Sequence, residues 1–183
     1  MPNNAAYFAF LADPNQEARR AELRDFCGPN ADTFLRAYDK LREDTPQVSG
    51  GRPKFRLFGG GFEVAAFFLG PVWFFYRKMW MFAWVITGLI VVLMFVPFRQ
   101  VGFILSLILA GLAHRSYVQY AVTRLTKLHA ANAVVTPAMV QAEGGVSKPA
   151  GIISGIIFGL IYVLGIVSII YAVTHGVDPN SLR

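Results

Sequence analysis

Cysteine is almost absent from this chain. A single thiol, Cys27, among 183 residues excludes a disulfide framework and any zinc centre built on several thiolates. Charge is also scarce. Only 15% of residues are charged, against about a quarter in an ordinary soluble domain, while 55% are apolar. The runs 79–96 and 152–173 carry no charged residue. That distribution excludes a soluble globule, a disordered tail and a coiled coil. Internal repeats and low-complexity tracts are lacking. Gly59-Gly60-Gly61 lacks the Lys-Ser/Thr that a phosphate loop needs. The N-terminus has no basic region ahead of its short apolar run, so the chain is expected to begin in the cytoplasm.

The charge that is present has a local pattern. Seventeen Lys+Arg against 11 Asp+Glu give +6, yet residues 1–48 hold 6 basic and 8 acidic side chains. The excess sits in a basic stretch, Arg52, Lys54 and Arg56, and beside apolar runs, at Arg77, Lys78, Arg115, Arg124, Lys127 and Lys148. Juxtamembrane positives set membrane orientation and attract anionic lipid headgroups. They account for the basic balance, and no nucleic-acid partner is expected.

Residues 1–48 are expected to be a small cytoplasmic helical region. Asn15 caps a helix over 16–27 that Gly28-Pro29 ends, because Gly accepts the left-handed position and Pro cannot continue the helix. Asn30 is expected to cap a second helix over 31–43, with Asp32 in its first turn and an apolar face of Phe34, Leu35, Tyr38 and Leu41. Two such helices cannot build a core alone and must dock elsewhere. A Gly/Pro-rich basic linker follows over 49–61.

Ten of the 23 residues over 62–84 are aromatic, including all three tryptophans. Such a cluster beside a basic pair suits a membrane–water interface. The spacing predicts a short interfacial or re-entrant helix over 63–69, a break at Gly70-Pro71, and a helix starting at Pro71. Trp73, Tyr76, Arg77, Lys78, Trp80 and Trp84 are the predicted lipid-interface residues. Runs 79–96 and 98–113 then read as a transmembrane hairpin with a cytoplasmic extension to 131, in which Tyr117, Ala121, Leu125 and Leu128 share a face. A second linker is expected over 132–148, and a third span, 152–173, within 149–183. The fold class is therefore an all-α integral membrane protein with a cytoplasmic helical hairpin, an interfacial aromatic helix and three transmembrane helices. Inner-side positives outnumber Arg99 and Arg183 on the other side, which puts the N-terminus in the cytoplasm and the C-terminus outside.

The string from Phe67 to Trp80, FFLGPVWFFYRKMW, resembles the defining box of the YigF-like family, bacterial membrane proteins of unknown function. Phe26, Gly28, Phe34-Leu35 and Tyr38 upstream, and Gly111 to Tyr117 downstream, are similar to that family over about residues 25–128. Glu63-Val64 departs from an Asn-Trp pair found in many members. The resemblance implies a bacterial inner-membrane location and carries no activity.

No catalytic constellation, metal site or cofactor is expected. His114 and His175 fall at opposite ends of spans and cannot jointly ligate a haem. Cys27, at a helix C-terminus, is disfavoured as a thiolate. Glu63 suits a first helical turn or an ion pair with Arg77 or Lys78. Gly151, Gly155 and Gly159 recur every fourth residue and form a helix-packing groove, against the 79–113 hairpin, a second copy or another membrane protein. The expected function is a non-enzymatic accessory, scaffold or regulatory protein. An oligomeric channel or carrier and a lipid-modifying interface enzyme are the alternatives.

Overall fold

The computed structural model describes residues 4–45, 60–93 and 101–175. Most of the 49–61 linker and the polar tip at Arg99 and Gln100 lie outside the described residues. The described elements are helices, with no strand among them.

The N-terminal region contains three helices rather than a hairpin: α1 (Asn4–Ala12), α2 (Gln16–Cys27) and α3 (Ala31–Asp44). The apolar run that opens the chain is itself a helix, because Phe10 and Leu11 find a burial site. Asn15 caps α2 as expected, its side chain accepting from Ala18 N–H at 3.2 Å. Gly28 ends α2 at φ 64°, its N–H donating to Arg24 C=O at 3.0 Å. Asn30 is not a side-chain cap. It adopts φ 66° and makes no capping hydrogen bond, since the tight turn needs a left-handed residue there and Asn tolerates it.

The aromatic stretch breaks twice. Gly70, at φ 50°, separates α4 (Val64–Leu69) from α5 (Pro71–Tyr76). A second turn at Arg77 and Lys78, with Lys78 at φ 58°, precedes α6 (Trp80–Leu93). Tyr120 holds that turn by donating to Lys78 C=O at 3.0 Å. Helix α7 (Val101–Ala131) is continuous for 31 residues, its first half apolar and its second half part of the helical head. The expected linker over 132–148 holds another helix, α8 (Pro137–Glu143), capped by Thr136 and opened by a proline. Helix α9 (Lys148–Thr174) is capped by Ser147.

The core lies where the second half of α7 meets α2, α3 and α5. Phe26, Phe34, Tyr38, Tyr117, Ala121 and Leu125 are fully or almost fully buried there. The amphipathic face read on α3 thus docks on α7, and α9 packs on α5.

Three spans are not what the described helices amount to. One stretch, Pro137–Ser168, is long and apolar enough to cross a membrane. Its apolar part is α9, because residues 144–147 interrupt the helix. The described part of α6 has 14 residues, about 21 Å, short of a hydrocarbon core of about 30 Å. The run 98–113 contributes only the start of α7. The expected runs 79–96 and 98–113 both reach into residues 94–100, which lie outside the described residues.

Candidate functional site

Arg77 is the hub of the molecule. Placed by the turn after α5, its guanidinium points inward and the residue is only 6% exposed. Nη1 donates to the Cys27 carbonyl at 3.0 Å. Its Cζ lies 4.5 Å from the Phe34 ring centroid, 5.0 Å from Tyr117 and 5.9 Å from both Trp73 and Tyr76. No carboxylate neutralises it among the described residues. The faces of these rings supply the compensating negative potential, as in other desolvated cation–π arrangements. One side chain thereby ties α2, α3, α5 and α7 together. Arg77 Nε and the Tyr117 hydroxyl have no hydrogen-bond partner among the described residues. Burial pushes the Tyr117 phenol well above its ordinary range and the Cys27 thiol up to about 12.

Trp73 and Arg77, expected at lipid headgroups, are therefore interior groups. The aromatic density that resembled an interfacial belt is partly a cation cage, and composition alone cannot tell the two apart. Lys78 also turns to protein. Its Nζ donates to Ala142 C=O at 3.1 Å and Gly144 C=O at 2.6 Å, clamping the end of α8. Tyr76 is half-buried, and its carbonyl accepts from Ser147 N–H at 2.8 Å. Trp80 and Trp84 remain on the outside, Trp84 at 65% exposure.

A second arrangement was not legible in the sequence. Glu63 caps α4 by accepting from Ala65 N–H at 3.3 Å and pairs with His114 Nε2 at 2.8 Å, not with Arg77 or Lys78. The hydrogen bond from His114 leads the effects holding the Glu63 carboxyl below its ordinary range. The pair therefore stabilises the fold above that range and loses its effect as pH falls through it. His114 is only 3% exposed, and its Nδ1 has no partner among the described residues. Fifty-one residues separate the two in sequence, and no local spacing announces the pairing. Among the described residues, no group of three His, Cys, Asp or Glu side chains could hold a metal ion.

Residues 38–139, more than half of the chain, match the model of a family described as protein of unknown function (DUF2628). The chain belongs to that family. No curated protein and no solved structure matches it. An uncharacterised family was expected and one matches, but the match is to DUF2628 and does not confirm the YigF-like resemblance. Its segment runs from Tyr38 in α3 to Met139 in α8. It contains Arg77, Trp73, Tyr117, Glu63 and His114, whereas Cys27, Phe34 and all of α9 lie outside it.

The glycine row of α9 meets this DUF2628 segment at one end only. A Cβ on Gly151 would lie 2.9 Å from Tyr76 Cδ2. One on Gly155 would lie 3.9 Å from Val72 Cγ1, and one on Gly159 would meet nothing within 4 Å. The groove thus faces α5 rather than the 79–113 hairpin, and Gly151 is its tight point. Gly151→Leu is expected to cost about 1–3 kcal/mol, by forcing α9 off Tyr76. Gly159→Leu should leave the melting temperature in nanodiscs unchanged. Equal melting of the two variants would remove the α5–α9 contact from the fold.

Proposed function

We propose that this protein is a non-enzymatic inner-membrane adaptor, a cytoplasmic helical head carried on three membrane segments, whose third segment binds another membrane component. In this reading α6 and residues 101–113 of α7 cross the bilayer as a hairpin, α9 crosses alone from Gly151 onward, and the head faces the cytoplasm. The carrying observation is the exposure of α9 beyond its contact with α5. Only 6% of the most apolar window of its stretch is buried, and Ile156, Ile157, Leu160, Ile161, Val163, Leu164, Val167, Ile170 and Val173 are exposed. Membrane helices gain little from lipid contact that a partner helix would not improve upon by packing. Exposed apolar side chains on α6 and early α7 extend the same surface, from Trp80 to Val92 and from Phe103 to Ile108. The described ion pairs all lie outside these segments. Charge within the membrane, which a channel or carrier ordinarily needs, is lacking from all three segments.

Two measurements test the reading. Cysteines at exposed Glu43 and His175 are expected to label from opposite faces of the membrane, with buried Cys27 silent in the background. Labelling of both from one face would overturn the three-segment topology. A photo-crosslinking residue at Leu160, exposed in mid-α9, is expected to give a discrete protein adduct in native membranes. Adducts with lipid alone would overturn the adaptor role.

A further inference from the structure

Helices α4 and α5 run away from the helical head and back again. Glu63 N–H donates to Ala110 C=O at 3.1 Å, which sets the start of α4 beside Ala110 of α7. One turn later the Phe67 ring lies 5.8 Å from that of Phe103, about 10 Å further along α7 and away from the head. The chain reverses at Gly70, and α5 returns along α9. A Cβ on Gly155 would lie 3.9 Å from Val72, and one on Gly151 would lie 2.9 Å from Tyr76, so α5 climbs towards the first turn of α9. At the top, Ser147 N–H donates to Tyr76 C=O at 2.8 Å, and Trp73 and Arg77 meet Tyr117 of α7. Two helices thus measure the same descent. The Phe103 level lies about 17 Å below His114 and Arg115, and the Val72 level about 12 Å below the Ser147 cap. The turn at Gly70 reaches beyond Val72. On α7 and α9 alike, the nearest charged residues lie on the head side of it.

We propose that α4, Gly70 and α5 form a re-entrant hairpin, which enters and leaves the bilayer from the side of the head and presents α4 to the acyl chains of that leaflet. A helix lying in the interface plane keeps a polar face towards water. Helix α4 has none. Ala66 is buried where α4 packs on α7, while Val64, Phe68 and Leu69 are exposed, Phe68 at 76%. Residues 64–75 carry no charged side chain, and an apolar run of that length suits a re-entrant segment rather than a span. The turn also limits the cost of taking backbone into hydrocarbon. Pro71 has no N–H, and the N–H groups of Gly70 and Trp73 donate to the Ala66 and Gly70 carbonyls at 3.0 and 3.3 Å. Between the hairpin and α9 lies a crevice of about 380 Å³, walled by Ala65, Leu69, Val72, Trp73 and Ile152, in which Lys148 is the one charged lining residue. An acyl chain fits that chemistry and water does not. The proposal rests on the crossing of α9 given above and needs neither the α6–α7 hairpin nor a protein partner.

The test measures depth with nitroxide labels on the full chain in phosphatidylcholine–phosphatidylglycerol liposomes. Single cysteines replace Phe68, Leu69, Ile152, Ile157 or Glu43, all exposed, and the unsubstituted protein with its buried Cys27 is the blank. The ratio of collisions with oxygen to collisions with a water-soluble nickel chelate gives the depth of each label. The Phe68 label is expected at the depth of the Ile157 label, about 7 Å deeper than that at Ile152, with Glu43 open to nickel. Leu69, on the same turn, gives an independent reading from a second variant. Labels at Phe68 and Leu69 no deeper than Ile152, with Ile157 deep, would overturn the re-entrant hairpin and leave the crossing of α9 standing. An Ile157 label as open to nickel as Glu43 would overturn that crossing and the hairpin with it.

Discussion

Arg77→Ala is expected to lower the melting temperature by about 10 °C. The change opens a cavity between Phe34, Tyr117 and Trp73 and leaves the Cys27 carbonyl without its donor. Cavity and orphaned carbonyl together cost about 4 kcal/mol, and each kcal/mol moves the midpoint of a chain this size by about 2–4 °C. Arg77→Met separates the contributions. It restores volume and removes a buried charge, so only the carbonyl and the cation–π contacts are lost, and about 2 kcal/mol is expected. Arg77→Lys should not rescue, because an ammonium keeps the charge but cannot lie flat against several rings. Thermal melting followed by tryptophan fluorescence decides the matter. Unchanged melting for Arg77→Ala, with weaker binding to anionic vesicles, would return Arg77 to the lipid interface.

Gly144→Ala should open the contact between α2 and α8. A Cβ there would overlap the Phe26 carbonyl oxygen and lie 2.7 Å from Phe26 Cγ and 2.8 Å from its Cα. Phe26 is fully buried and cannot withdraw. The displaced loop would lose two further bonds, Gly145 N–H to Phe26 C=O at 2.6 Å and Lys78 Nζ to Gly144 C=O at 2.6 Å. Overpacking against backbone together with these losses costs about 3 kcal/mol or more. The adjacent native thiol reports the result. Cys27 is fully buried, so its maleimide reaction requires local opening, and a 3 kcal/mol loss raises the open population about 100-fold. A reaction rate equal to that of the unsubstituted protein would show that α8 is not seated on α2.

The readable parts of the sequence were those governed by neighbours along the chain. Asn15 and Gly28 bound α2, Pro71 opens α5, and Ser147 with Pro149 opens α9, because caps and breakers act within one helical turn. The face of α3 and its counterpart on α7 were visible as periodicity, and both are core. Helix α1 and helix α8 were missed, each being too short for its period to separate it from a loop. The lipid-interface assignment of Trp73 and Arg77 failed for another reason. Rings beside a cation have the same composition whether they line headgroups or enclose a guanidinium, and only the Lys78 turn reveals which way Arg77 points. Nothing local in the sequence joins Glu63 to His114.

The sequence by itself determined that the chain is helical, that its charge is segregated from its apolar runs, and where most helices start and stop, because these follow from short-range sterics, hydrogen bonding and hydrophobic period. The tertiary structure alone decided that Arg77 is a core cation held by four rings, that Glu63 meets His114 across α4 and α7, and that Gly151 rather than Gly155 is the tight point of α9. Each of those depends on which helix faces are pressed together, and burial, not residue type, then sets what a charge or a glycine does.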